Sequence, residues 1–212
     1  LTGKNLNDVL NEKLRQPLGM RYFQYGLQGI DQQRAPLHYL TGLQSGLLDS
    51  YIEHAVGANL KDVVRVSNDP RFMATIVPAA NLYATAEEVT RFYQMLLDGG
   101  RWHNRQLLKP TTIQNALRPV SAPLVLDGSL LLPIRFSAGF MLGARVLSLY
   151  GTGTPKDFGH LGFISITTWA DPARQLSVAL LTTGKGLLGR QLPAMFRLFA
   201  AINQREKSAP DS

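Results

Sequence analysis

The hydrophobic pattern changes its period near residue 136, and this change limits the fold more than any other feature. Before that point apolar residues recur at helical spacing, whereas afterwards they come in short runs typical of strands. The clearest helix begins at Thr85, whose hydroxyl can cap it while Glu88 completes a capping box. Its apolar face consists of Val89, Phe92, Tyr93, Leu96 and Leu97, and Gly99-Gly100 ends it.

Other helical segments precede and follow this helix. Apolar residues at helical spacing predict helices over residues 6–14, ended by Pro17 and Gly19, and over residues 47–56, ended by Gly57. The intervening residues 22–46 are rich in Gly, Gln and Pro, which predicts irregular structure. A shorter helix is expected to open at Pro110.

The second part of the chain has the pattern of an antiparallel sheet. Residues 136–149 predict a strand and a bend, and a turn follows at 151–155. Residues 163–169 and 176–183, separated by a turn at 170–173, predict two antiparallel strands. A last helix, with Pro193 in its first turn, would cover them. We therefore expect one α+β domain with a mostly helical subdomain at 1–135 and sheet strands plus a C-terminal helix at 136–212.

Charge and composition exclude several classes of protein. The net charge is +7, but the basic residues are scattered singly, which favours a solvated basic surface over a nucleic-acid partner. The absence of cysteine excludes disulfides and thiolate sites and leaves bacterial periplasm and cytoplasm both open. No apolar run approaches the roughly 20 residues of a membrane helix. The start, Leu1-Thr2-Gly3-Lys4, lacks an initiator Met and a signal-peptide pattern, so we expect it to be a cut within a longer protein.

Standard catalytic motifs are mostly absent from the sequence. It has no P-loop, H-E-x-x-H, EF-hand loop or G-x-S-x-G. Residues 42–46 resemble a nucleophile elbow only loosely and are interpreted as a loop, residues 67–70 as a β-turn, and Asp62, Glu87 and Glu88 as helix-surface carboxylates. His38, His54, His103 and His160 share no metal-ligand spacing, so we expect neither a metal nor a cofactor.

One histidine has a distinctive setting. His160 lies in Phe158-Gly159-His160-Leu161-Gly162-Phe163, where the flanking glycines would let the backbone approach a ligand closely. A lone histidine between glycines is a weak signal, and both a catalytic and a structurally bonded imidazole fit the pattern. The other three histidines are expected to be surface or structurally bonded groups.

Taken in order, several segments resemble the penicillin-recognising serine hydrolases, which include class C β-lactamases, D-alanyl-D-alanine peptidases and family VIII esterases. The segments are residues 1–20, ending in Pro17-Leu18-Gly19-Met20; residues 78–88 with Leu96-Leu97-Asp98-Gly99-Gly100; Phe158 to Gly162, which is similar to the third active-site motif; and residues 169–181. The likeness covers nearly the whole chain, although residues 119–132 match poorly. It implies a β-lactamase/transpeptidase-like fold whose N-terminal part is missing here.

The resemblance also implies which catalytic groups this chain lacks. Family members acylate the serine of an S-x-x-K helix and carry a Y-x-N or Y-x-S loop, and both precede the P-L-G-M segment. Neither motif occurs in this sequence. We therefore expect the parent protein to be a serine hydrolase that acts through an acyl-enzyme, and this chain alone to be inactive.

The remaining motif would form one wall of the site. By resemblance, His160 replaces the lysine of K-T-G, and the N–H of Phe163, just after Gly162, donates to the oxyanion. Leu161 stands where a threonine is usual, and the loss of that hydroxyl favours a small uncharged ester or acyl substrate over a β-lactam.

Two alternatives and one expectation about partners remain. A non-catalytic binding module with the same fold is the main alternative, and a basic nucleic-acid-binding domain ranks far behind it. A sheet without its N-terminal strands would expose an edge and an apolar face. We therefore expect association with the missing N-terminal segment or self-association.

Overall fold

The computed structural model describes residues 3–42, 50, 53–54, 57–120, 134–162, 166–186 and 191–205. The helices are α1 (Leu6–Leu10), continued by a wider π-helical turn (Asn11–Arg15), α2 (Gly29–Arg34), α3 (Leu60–Ser67), α4 (Pro70–Ala74), α5 (Ala86–Leu97), α6 (Pro110–Leu117) and α7 (Gln191–Arg205). The strands are β1 (Gln24–Tyr25), β2 (Tyr39–Leu40), β3 (Leu82–Tyr83), β4 (Arg101–Trp102), β5 (Arg105–Gln106), β6 (Arg135–Phe136), β7 (Met141–Leu142), β8 (Phe158–Gly162), β9 (Ile166–Asp171), β10 (Leu176–Leu180) and β11 (Gly184–Lys185).

A five-stranded antiparallel sheet forms the centre of the C-terminal part. Its strand order is β10-β9-β8-β7-β6, so that each strand pairs with its neighbour in sequence. The small pairs β1-β3, β2-β11 and β4-β5 lie outside it, and β2-β11 is parallel. Connections of three or four residues join β6 to β7, β8 to β9 and β9 to β10, as antiparallel strands need only a turn to join them, whereas 15 residues separate β7 from β8.

The sheet is covered on both faces. On one face Phe158 and Ala170 join the core that α5 contributes through Tyr93, Met95 and Leu96. On the other face Trp169 stacks on Tyr150 and meets Phe199 of α7 edge-on. Neighbouring residues of a strand point to opposite faces, which is why Ala170 and Trp169 enter different cores. The predicted α+β arrangement, with a C-terminal helix covering an antiparallel sheet, is confirmed.

The capping box predicted for α5 is present. The Thr85 hydroxyl accepts the backbone N–H of Glu88 at 3.2 Å, and the Glu88 carboxylate accepts the N–H of Thr85 at 3.0 Å. Glu88 is only 5% exposed, so its interpretation as a helix-surface residue was wrong. Its Oε1 also accepts the N–H groups of Arg21 and Tyr22, at 2.5 and 2.8 Å. This one carboxylate therefore joins the start of α5 to the turn that follows α1.

The helix ends agree with the glycine and proline signals. Gly99 and Gly100, which end α5, have φ of +66° and +86°, a conformation that glycine adopts without steric cost. A Cβ on Gly100 would also lie 2.1 Å from the Leu108 carbonyl oxygen. Pro110 opens α6, and Pro193 lies in the first turn of α7, as predicted. The helix predicted over residues 47–56 lies largely outside the described residues.

Three predictions of secondary structure need correction. Residues 22–46 were expected to be irregular, but they contain β1, α2 and β2. Residues 136–149 form two short strands rather than one, because the Ser137 hydroxyl accepts the N–H of Phe140 and closes a turn between them. The motif around His160 is itself strand β8, and β9 continues to Asp171, so that the following turn lies at 172–175 rather than 170–173.

Candidate functional site

His160 lies in the middle of β8, with its side chain exposed. The register pairs it directly with Thr168 of β9, and pairs Phe158 with Ala170. Directly opposed residues of antiparallel strands share a face, so His160, Thr168 and Phe158 all lie on the α5 side of the sheet. On this face the aromatic core covers the end of β8 that contains Phe158. The imidazole of His160 lies beyond that core.

A hydrogen bond fixes which imidazole nitrogen carries the proton in the neutral ring. Nδ1 of His160 lies 2.9 Å from the carbonyl oxygen of Leu161. Because a carbonyl oxygen only accepts, Nδ1 is the donor and Nε2 keeps its lone pair. Nε2 has no hydrogen-bond partner within the described part of the chain. The ring is thus oriented as a base whose free nitrogen is available to a ligand or to a neighbouring hydroxyl.

Among the described residues, β7 pairs with only the first part of β8. Strand β7 pairs with β8 only at Phe158 and Gly159, through Leu142 and Met141. Beyond that point the N–H of Leu161 is directed at Sδ of Met141, at 3.4 Å, instead of at a strand carbonyl. A thioether is a weak acceptor, so this stretch of edge retains capacity to bind another polar group.

The predicted site residues His160, Leu161 and Gly162 are consecutive in β8 but have different surroundings. Leu161 is half-buried and lies opposite Thr167, on the face away from His160. Gly162 lies opposite Ile166, and a Cβ at Gly162 would meet the Ile166 side chain at 3.1 Å. Phe163, the predicted oxyanion donor, lies outside the described residues. Its role therefore stays a prediction.

Gly159 serves a different purpose from the one its position beside His160 suggested. A Cβ on Gly159 would lie 2.0 Å from the carbonyl oxygen of Thr168 and 2.6 Å from Cα of Trp169. The close approach that requires glycine is thus to the backbone of β9, and not to a ligand. Gly159 allows β8 and β9 to lie in tight contact beneath His160.

A buried pair of hydroxyls lies beside His160, and sequence reasoning did not identify it. The Tyr93 hydroxyl of α5 lies 3.0 Å from Oγ1 of Thr168. Burial raises the pKa of Tyr93 to about 12, and the hydrogen bond with Thr168 opposes part of that rise. Tyr93 had been assigned correctly to the apolar face of α5, but nothing in its local sequence reveals the contact with β9.

A buried carboxyl, which the sequence analysis did not predict, lies at the opposite end of β8. Asp157 is 2% exposed and directly precedes Phe158, the first residue of β8. Burial, followed by the charge of Asp171, raises the pKa of Asp157 to about 8, although Arg174 opposes the rise. Asp171 forms an ion pair with Arg174.

The remaining histidines are spread over other elements. His38 is half-buried beside β2, where burial lowers its pKa and nearby Lys185 lowers it further. His54 is exposed, and His103 is exposed in the turn between β4 and β5 with φ of 49°. In the 67–70 segment, Asn68 binds both the N–H and the carbonyl of His38, while Asp69 caps α4. These contacts explain that segment structurally.

The described residues contain no group of three or more histidine, cysteine or carboxylate residues placed to hold a metal ion. None of their helices is both long and apolar enough to cross a bilayer.

Comparison with protein families assigns the chain. The family model named Beta-lactamase matches residues 1–201, which is nearly the whole sequence. The chain belongs to the beta-lactamase family. No curated protein is significantly similar to it.

Solved structures of the beta-lactamase fold agree with this assignment. A penicillin-binding protein homologue from Caulobacter crescentus is 27% identical, with a TM-score of 0.72 over 95% of this chain and 53% of its own. A family VIII carboxylesterase is 20% identical, with a TM-score of 0.71 over 94% of this chain and 52% of its own. EstA from Arthrobacter nitroguajacolicus Rue61a is 20% identical, with a TM-score of 0.73 over 98% of this chain and 56% of its own. The chain thus spans about half the length of these proteins.

Proposed function

We propose that the full-length protein is a serine hydrolase that cleaves small esters or related acyl compounds through an acyl-enzyme. The observation that carries the proposal is the imidazole of His160, which stands exposed on β8 with Nδ1 bound to the Leu161 carbonyl and Nε2 free. A nitrogen held in this way can accept or return a proton during acyl transfer. Membership of the beta-lactamase family supports this chemistry.

This chain would supply one wall of the proposed site. His160 would bind to the network of the nucleophile or to the substrate, and the N–H of Phe163, after Gly162, would stabilise the oxyanion. No S-x-x-K or Y-x-N sequence occurs in the 212 residues. The serine nucleophile and its base would therefore come from residues outside this chain, and the chain alone would form no acyl-enzyme.

The leucine at position 161 favours an ester as the substrate. A hydroxyl at this position would suit a carboxylate of the substrate, whereas the leucine side chain offers only apolar surface. One of the similar solved structures is itself named as a family VIII carboxylesterase. Both points favour an uncharged acyl substrate over a β-lactam.

Two measurements on the full-length protein test this proposal. Hydrolysis of p-nitrophenyl butyrate should exceed that of a chromogenic cephalosporin, compared as kcat/KM. Intact mass spectrometry during turnover should find the protein carrying one butyryl group. Turnover without a covalent adduct in a rapid-quench series would contradict the acyl-enzyme, and a higher kcat/KM for the cephalosporin would overturn the substrate assignment. A folded protein that turns over neither substrate would favour a non-catalytic binding module.

A further inference from the structure

Met141 supplies the partner of the Leu161 N–H on β8. The backbone of Met141 pairs with Gly159, two residues before Leu161, and this is the last pair that joins β7 to β8 in the described residues. Because N–H groups two residues apart point to the same edge of a strand, Leu161 presents its N–H on the β7 side, beyond that pair. The Met141 side chain reaches this N–H, with Sδ 3.4 Å from the Leu161 nitrogen.

The carbonyl of the same leucine binds His160. In an antiparallel ladder the N–H and C=O of one residue point to the same edge of the strand. The Leu161 carbonyl therefore also points to the β7 side, where it accepts a hydrogen bond from Nδ1 of His160 at 2.9 Å. The imidazole leans towards the β7 side of β8 as a result. Leu161 thus donates to Met141 and accepts from the imidazole at one edge of the strand.

The backbone of Met141 is anchored by Tyr150. The hydroxyl of Tyr150 donates to the Met141 carbonyl oxygen at 3.0 Å. Tyr150 is fully buried, and its ring stacks on that of Trp169 with centroids 5.8 Å apart. Its own carbonyl accepts Nδ2 of Asn203, from α7, at 2.8 Å. A phenol packed in this way has little freedom to move, so the main chain of Met141 is held from the core under α7.

The Met141 side chain also has little room to move. The residue is 6% exposed, and its strand lies between β6 and β8. Its sulfur is the described partner of the Leu161 N–H, and that donor belongs to a half-buried residue. A donor that loses its acceptor in such a place loses the free energy of the bond without full hydration in return. The sulfur therefore stabilises the observed position of the Leu161 N–H.

We propose that Met141 is a positioning residue for His160 that acts through the backbone of Leu161. Its thioether holds the Leu161 N–H and thereby keeps the Leu161 carbonyl where it binds Nδ1 of the imidazole. Tyr150 fixes the Met141 backbone, so that the core under α7 supports the orientation of an exposed histidine. The consequence for catalysis rests on the proposed hydrolase function, whereas the effect on the imidazole does not.

The first test is amide hydrogen exchange at Leu161, measured by NMR on ¹⁵N-labelled full-length protein with and without the substitution Met141→Leu. Leucine nearly keeps the volume of methionine and removes the sulfur, and such exchanges are usually tolerated in a core. Exchange at Leu161 should become roughly threefold faster, as expected for the loss of a bond weaker than an ordinary hydrogen bond. An unchanged exchange rate would refute the contact that the thioether makes, and with it the proposal.

The second test is the tautomer of His160, measured from ¹⁵N shifts at about pH 9, where ordinary imidazoles are neutral. The His160 signals are assigned with His160→Gln. In Met141→Leu the ratio of Nδ1–H to Nε2–H forms should fall roughly threefold, and an unchanged ratio would overturn the proposal. If Met141→Leu does not fold, Tyr150→Phe should shift the ratio in the same direction, and an unaltered ratio in that variant would then decide against the proposal.

A second buried methionine offers a matched control. Met95 is 0% exposed and packs among the apolar side chains of the α5 core. Met95→Leu makes the same chemical change away from the β8 edge, so it should alter neither the exchange rate at Leu161 nor the tautomer ratio of His160. Equal changes in Met95→Leu and Met141→Leu would show a general loosening of the core and would overturn the proposal.

Kinetics of the full-length protein separate the two proposals. Met141→Leu should lower kcat for p-nitrophenyl butyrate roughly threefold with little change in KM, because a misplaced catalytic group loses rate more than binding. Met95→Leu should leave both constants unchanged. A rise in KM alone in Met141→Leu would contradict a positioning role. Absence of turnover in the wild type would refute the hydrolase function, while the exchange rate and the tautomer ratio would still decide the role of Met141.

Discussion

Glu88 is expected to contribute more to stability than any other carboxylate at the start of α5. Its two oxygens accept three backbone N–H groups, those of Thr85, Arg21 and Tyr22. A hydrogen bond to a charged group contributes about 1.5–3 kcal/mol, so Glu88→Ala should lower the free energy of unfolding by about 4.5 kcal/mol when the low end is taken for each bond. Two of these N–H groups belong to the turn after α1, so both segments lose a partner.

Two further variants make this prediction specific. Glu88→Gln keeps one acceptor oxygen and replaces the other with an amide, so it should cost about 2 kcal/mol. The control is Glu87→Ala in the same turn, whose side chain is 78% exposed and pairs with Arg91. Exposed ion pairs contribute little, so this change should cost under about 1 kcal/mol.

The assay is urea unfolding of the full-length protein, followed by far-ultraviolet circular dichroism, with midpoint and slope fitted separately for each variant. The expected order of stability is wild type, Glu87→Ala, Glu88→Gln and Glu88→Ala. If Glu88→Ala were no less stable than Glu87→Ala, the capping and cross-linking role of the carboxylate would be refuted.

Two other substitutions test the packing around β8. The pKa of Asp157 is raised to about 8 in the folded protein, so its carboxyl keeps a proton there that the unfolded chain releases above about pH 4. Asp157 therefore makes the free energy of unfolding fall as the pH rises from about 4 to about 8. Asp157→Asn removes this titration, and its stability relative to wild type should therefore be higher at pH 8 than at pH 5; urea midpoints that shift equally at both pH values would contradict the raised pKa. Gly159→Ala places a Cβ against the backbone of β9 and should destabilise by about 1–3 kcal/mol or more, whereas Gly139→Ala, with open space at its Cβ, should change stability little. Equal melting temperatures for the two glycine variants would show that β8 and β9 do not need the close contact.

Local signals in the sequence predicted those parts of the fold that depend on neighbouring residues. The start of α5 follows from Thr85 and Glu88, three residues apart, and its end from Gly99 and Gly100. The burial of Glu88 could not be predicted in the same way, because its additional partners lie 66 and 67 residues earlier. A carboxylate that completes a capping box looks the same in sequence whether its outer side faces water or another turn.

The candidate site shows the same division between local and distant information. Its glycine-flanked histidine and the resemblance along the chain identified His160 and the family. The pairing of His160 with Thr168 depends on the β8–β9 register, and the contact of Thr168 with Tyr93 spans 75 residues. The missing side chain at Gly159 was interpreted as space for a ligand, but the backbone of β9 occupies that space. Only the fold shows which backbone approaches that glycine.

The most direct test of the proposed function is the ester hydrolysis rate of the full-length protein with and without the His160 imidazole. His160→Ala should lower kcat/KM for p-nitrophenyl butyrate by roughly 100-fold, the effect of removing a group that transfers a proton. His103→Ala, which removes an exposed imidazole from the turn between β4 and β5, should leave the rate unchanged. Unaltered turnover in a folded His160→Ala protein would contradict the role proposed for His160.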